Sequence, residues 1–262
     1  MGAGALRAAR IAALNVAVLA IAWVVWQGAS RAAGSAFFPG PASVLQAYRE
    51  ILADGDVQGY YLWSHIWASL LRVLAGFAAA AVTGVALGMV LGLKRGVYDA
   101  TKSILEPMRF IPPIAWIPLA IVLLRGFSRY AFIIWIGAFF PILVGTMAGI
   151  QRVSPLLVEV SKAFGARRPF IVLRVVTPGA LPEIVAGMRI GLGVGWMCIV
   201  AAEMIGGEEV GLGRLMMNYA DLLRVDMVIV GMITIGIIGY GTNELVLLFE
   251  QRLFAWRRAV KV

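Results

Sequence analysis

Long apolar runs separated by short polar links organise this chain from end to end. They cover residues 11–26, 71–93, 110–124, 131–150, 184–202 and 227–249. A helix needs about 20 apolar residues to cross the hydrocarbon core of a bilayer, so the pattern predicts six transmembrane helices and an all-α membrane protein. The third run, FIPPIAWIPLAIVLL, is short and broken by proline. Lipid tolerates freed backbone carbonyls only where protein or a cavity satisfies them, which places this helix inside the bundle. The first run follows Arg7 and Arg10 and precedes the small-residue stretch GASRAAGSA, the layout of a signal peptide. It is long for one and is expected to be a retained helix. After it, FFPGPASVLQAYREIL opens with turn residues and continues as an amphipathic stretch carrying Val44, Leu45, Tyr48 and Leu52 on one face. This segment reads as an interfacial helix.

Composition removes the soluble alternatives. Of 262 residues, 61% are hydrophobic and 14% charged, whereas about a quarter are charged in a soluble domain. The expected divisions are a first transmembrane helix over 1–30, an extracytosolic segment with the amphipathic helix over 31–66, a core membrane domain over 67–251 that holds a cytosolic loop at 151–182, and a cytosolic tail over 252–262. The net charge of +9 lies in the links between apolar runs. Nucleic-acid binders cluster their bases on one face of a soluble domain, so no nucleic-acid partner is expected. With both termini in the cytosol, fifteen bases, Arg109 among them, fall inside and seven, Arg72 among them, outside, as the positive-inside rule requires. Cys198 and His65 are the only residues of their kinds, so neither a disulfide nor a metal site is expected and both read as packing residues.

The cytosolic loop VSPLLVEVSKAFGARRPFIVLRVVTPGALPEI has its own grammar. Ser154 suits an N-cap, Pro155 the first helical position, and Glu159 lies early enough to meet the positive helix end. Gly165 ends this helix in a left-handed cap, and Pro169 begins a second short helix. The result is a helical elbow with Leu156, Leu157, Val160 and Phe164 near its surface, which implies a separate soluble partner to bury them.

The stretch around Glu159, Ser161 and Gly165, with Pro178 further along, resembles the EAA loop of ABC importer permeases. Val160 and Ser161 stand where that motif has two alanines. RFIPPIAWIPLAIVLL, GAFFPILVGTMAGI, GMRIGLGVGWMCIVAAEMIG and EQRLFAWRR are similar to the nitrate, sulfonate and taurine branch of that superfamily, over roughly residues 60 to 258. The resemblance implies a type I ABC importer permease fold in a bacterial-type inner membrane. It also implies an elbow in which Glu159, Ser161, Ala163, Phe164, Gly165, Ala166 and Pro178 couple to an ATPase. The implied partners are a second copy of the chain, two ATP-binding subunits and an extracytosolic solute-binding protein, and the solute is a small sulfonate-, taurine- or nitrate-like anion. No GxxxxGK[ST] phosphate loop occurs, so no cofactor is expected on this chain, and ATP with Mg would belong to the partner.

Arg189, Glu203 and Glu244 stand at or near membrane depth, where ionisable groups are costly. Glu203, which precedes Gly206 and Gly207, either lines the route near an external gate or caps backbone amides of the glycine turn. Arg189 reads as an anion contact or a structural residue, and Glu244 as an interhelical hydrogen-bonding group. Trp116, Met188, Trp196 and Met197 are pathway candidates through the resemblance and packing residues otherwise. Gly84, Gly88 and Gly92 form a small-residue seam for close helix packing. Two other functions remain open: a membrane enzyme would need Glu203, Asp221 and Arg189 to assemble, and an autonomous channel or secondary transporter would leave the elbow unexplained.

Overall fold

The structure is a computed structural model that describes residues 3–35 and 37–253, and these are built from helices and turns. The bases Arg257, Arg258 and Lys261 of the expected tail lie outside the described residues. Helix α1 (Ala3–Ala33) stands apart, touching the rest mainly through α2 (Pro41–Ala53). Trp26 Nε1 donates to the Pro39 carbonyl at 3.1 Å and Ser30 Oγ to that of Phe38 at 2.8 Å. α2 is the expected amphipathic helix, with its face rotated. Pro41, Val44, Ala47 and Ile51 are buried while Leu45 and Leu52 are exposed, because an i, i+3, i+7 stripe and not the largest side chains selects the packed face.

Helix α3 (Leu62–Leu93) begins well before the predicted residue 71 and takes Arg72 inside its length. The link that follows is itself helical, α4 (Arg95–Met108). The chain then turns by 85° into a tight 3-10 turn (Pro113–Trp116) and α5 (Ile117–Leu123). Pro107, Pro112 and Pro113 withhold N–H groups there, and Pro113 disfavours helix at the residue before it, so the proline-broken third run forms the second arm of a bent pair whose first arm is α4. Among the described residues, five helices are long and apolar enough to cross a membrane, and the bent pair, taken as one span, brings the number to six.

The core is a three-helix layer. α6 (Phe127–Arg152) packs along its length against α3 on one side and α9 (Thr177–Ile205) on the other. Glycine makes both contacts possible. A Cβ on Gly84, Gly88 or Gly92 would come within 3.0, 2.6 and 2.6 Å of Ile142, Thr146 and Ile150 respectively, so the expected seam is a packing seam. On the other side, a Cβ on Gly145 would meet Gly187 Cα at 2.8 Å. Such small-residue faces let backbones approach where lipid offers no hydrophobic drive between helices. α10 (Leu212–Asp221) and α11 (Val225–Leu253) close the fold over α9, and Tyr48 of α2 meets Thr234 of α11 at 3.1 Å.

Candidate functional site

The elbow is formed by α7 (Pro155–Ala163) and the short α8 (Arg168–Ile171). Gly165 has φ +73°, and its N–H donates to the Lys162 carbonyl at 2.9 Å while that of Ala166 donates to Ser161 at 3.0 Å. These paired bonds make a Schellman cap, which favours glycine at its left-handed position. Ser154 occupies the N-cap without a side-chain bond, and Glu159 lies beyond the first turn, so the expected charge contact with the positive helix end is not made. Leu156, Leu157 and Val160 are exposed, and Phe164 is 88% exposed. The second arm is not a separate short helix. It runs through a widened π turn (Val172–Val176) directly into α9, so that 168–205 is one continuous segment of 38 residues with Pro178 in the first turn of α9. Thr177 Oγ1 caps the turn by donating to the Val172 carbonyl at 2.8 Å.

At the opposite end of α9, a set of buried side chains clamps the loop between α9 and α10. Glu203 is 1% exposed and accepts from Arg72 Nη1 at 2.7 Å, from Ser69 Oγ at 2.8 Å and from the Gly213 N–H at 3.0 Å. Arg72 also donates to the Val210 carbonyl at 2.8 Å, and Ser69 Oγ accepts from the Leu212 N–H at 2.9 Å. His65 receives the Gly211 N–H on Nδ1 at 3.0 Å, and its Nε2 meets Asp56 Oδ2 at 3.1 Å. Arg129 bonds the Gly206 carbonyl, and the Arg72 guanidinium lies 4.4 Å from the Tyr130 ring centroid. Of the backbone amides, the Glu203 carboxylate takes that of Gly213, at the start of α10 and not in the Gly206–Gly207 turn, and its other partners are the Arg72 and Ser69 side chains. His65, expected to be a packing residue, is part of the same polar network.

The other candidates each make contacts of their own. Trp196 is buried and donates from Nε1 to Thr242 Oγ1 at 3.1 Å, binding α9 to α11. Trp116 sits edge-on to Phe132 with centroids 6.5 Å apart, Met188 is half-buried, and Met197 is exposed. Arg189 reaches α11, with Nε 3.3 Å from Asn243 Oδ1 and Nη1 3.9 Å from Glu250, an interhelical role. Sequence reasoning missed Arg72, Ser69 and Asp56 as members of the clamp. The available signal was the spacing of His65, Ser69 and Arg72, which places three polar side chains on one face at the start of an apolar helix.

Residues 84–255 match the family described as binding-protein-dependent transport system inner membrane component. The taurine transport system permease protein of Escherichia coli is 32% identical over 95% of this chain and 91% of its own length. The nitrate import permease protein of Synechocystis is 37% identical over 89% of this chain and 86% of its own. The solved structure of an inward-facing MetNI methionine ABC transporter superposes with a TM-score of 0.59 at 21% identity, covering 71% of this chain and 96% of that one, a likeness of fold. With a type I importer fold, apolar membrane helices and a family match over most of its length, the chain belongs to the binding-protein-dependent transport system inner membrane components and is the permease subunit of an ABC importer, in which a separate subunit hydrolyses ATP.

Proposed function

We propose that this permease is half of a pore completed by a second copy of itself, and that it imports a small anion such as a sulfonate, taurine or nitrate. Both termini and the elbow face the cytosol, where two ATP-binding subunits carrying ATP and Mg receive α7. The clamped loop faces the other side, where a solute-binding protein delivers its load. The observation that carries this reading is the elbow: Leu156, Leu157, Val160 and Phe164 are held out on a Schellman-capped helix, an apolar surface that a soluble partner would cover. Substrate class rests on the taurine and nitrate relatives. Glu203 acts in this scheme by positioning the outer loop, and Trp116, Met188 and Trp196 support the helices around the route.

Co-purification tests it. The tagged chain retains a co-expressed ATPase, and Phe164→Asp, which charges the most exposed apolar residue of the elbow, abolishes retention while membrane insertion is unchanged. Retention at wild-type level by that variant would remove the elbow from the interface.

A further inference from the structure

A cavity of about 540 Å³ opens between the α4–α5 bend, α6 and α9, lined by Phe110, Gly137, Phe140, Pro141 and Gly187, with Arg109 as its one basic lining residue. Arg109, counted with the cytosolic bases from the sequence, lines this cavity together with residues of α6, and its side chain is 39% exposed. We propose that Arg109 is the anion-binding side chain of a solute subsite in this cavity, an inference that rests on the anion reading above.

Three observations support it. First, the bend supplies few other donors, since Pro112 and Pro113 have no N–H, while a guanidinium offers several in a plane that matches an oxyanion. Second, Arg109 is held but not consumed. Glu106 Oε2 meets it at Nη2 at 2.9 Å, Tyr98 OH donates to the same carboxylate at 3.1 Å, and the guanidinium lies 5.0 Å from the Phe110 centroid. The Glu106 charge offsets the attraction for an anion, as a conduit requires if its cargo is to leave. The remaining charge in the cavity, Glu183, is paired with Arg152. Third, Arg109 and Phe140 also line an adjoining cavity of about 350 Å³ with Tyr98, Glu106 and Gln151. Tyr98 and Gln151 in turn line a third with Arg95, Asp99 and Lys102. The polar stripe of α4 thus leads from Arg109 toward the elbow end of the bundle.

The test uses the permease–ATPase complex in lipid nanodiscs, without binding protein, and equilibrium binding of radiolabelled nitrate and methanesulfonate, with uptake measured in proteoliposomes. The wild type binds an oxyanion, Arg109→Gln weakens binding at least tenfold, and Arg109→Lys retains part of it. Glu106→Gln, which frees the guanidinium, tightens binding severalfold, a gain that loss of a structural contact would not give. Oxyanion import with no binding by the wild type, or with unchanged binding by Arg109→Gln or weakened binding by Glu106→Gln, would overturn the subsite alone. Uptake of only neutral or cationic solutes by the wild type would overturn the anion reading and the subsite with it.

Discussion

Arg72 and Glu203, on different helices and 131 positions apart in sequence, meet at 2.7 Å in the protein interior. Removing one partner leaves an unpaired charge where solvent cannot reach it. Glu203→Gln keeps an acceptor for Gly213 but not the charge, and is expected to cost roughly 3 kcal/mol. Arg72→Met is expected to cost a similar amount, and the double variant less than the two together. Thermal unfolding in detergent measures the cycle, and strict additivity would mean that the pair is not coupled.

Gly88 is a tight point of the α3–α6 seam, where an added Cβ would lie 2.6 Å from Thr146 Cβ and 2.9 Å from the Leu143 carbonyl. Neither neighbour is the free end of a flexible chain. Gly88→Ala should destabilise by about 1–3 kcal/mol, whereas Gly96→Ala, whose Cβ meets nothing within 4 Å, should not. Equal melting temperatures for the two variants would contradict the seam.

Gly165→Val places a β-branched residue at φ +73°, a strain of about 1–2 kcal/mol that the short α7 relieves by unwinding its cap. Because the membrane helices pack independently, the variant should insert normally but lose the ATPase or hydrolyse ATP without import. Pull-down and a proteoliposome assay read both, and fully coupled import would count against the elbow.

Arg224 grips Glu50 with Nη1 to Oε1 at 3.0 Å and Nη2 to Oε2 at 2.9 Å, and this hydrogen bonding holds the Glu50 carboxyl below its ordinary range. A carboxyl depressed in the fold stabilises it above its unfolded value, about 4.3, and loses that contribution as pH falls through the lowered value. Both side chains are over a third exposed, so screening limits the gain to about 0.5 kcal/mol. The melting gap between wild type and Glu50→Gln should be present at neutral pH and close as pH falls below the ordinary glutamate range. A gap independent of pH would point to packing instead.

The apolar runs and the elbow were legible because each depends on local chemistry: run length, proline placement, and a glycine where φ must be positive. The rotated face of α2 was not, because Leu45 and Ala47 are ranked by which neighbours they meet and not by their own size. The clamp was half legible. Glu203 stood out as a charge beside glycines, but Arg72 looked like a base at the outer edge of its span because the α3 helix starts nine positions earlier than the apolar run. The helicity of the link after α3 was not legible either, because α4 is a helix of mixed charge that reads as connection. Its counter-charges Asp99 and Glu106 let polar residues run alongside α6.

The unbroken segment from Arg168 to Ile205 has a mechanical consequence. At 1.5 Å per residue its 38 residues reach roughly 57 Å, from the elbow at one end to the clamped loop at the other. A push applied to α8 would therefore reach Glu203 along one helical shaft and not by relay through side chains. The shaft has one compliant joint, where the π turn and Pro178 and Pro182 thin its hydrogen bonding just beyond the elbow. Beyond that joint it is seated against α6 where Gly145 meets Glu183 and Gly187. A tilt about this bearing would carry the two ends of α9 in opposite directions.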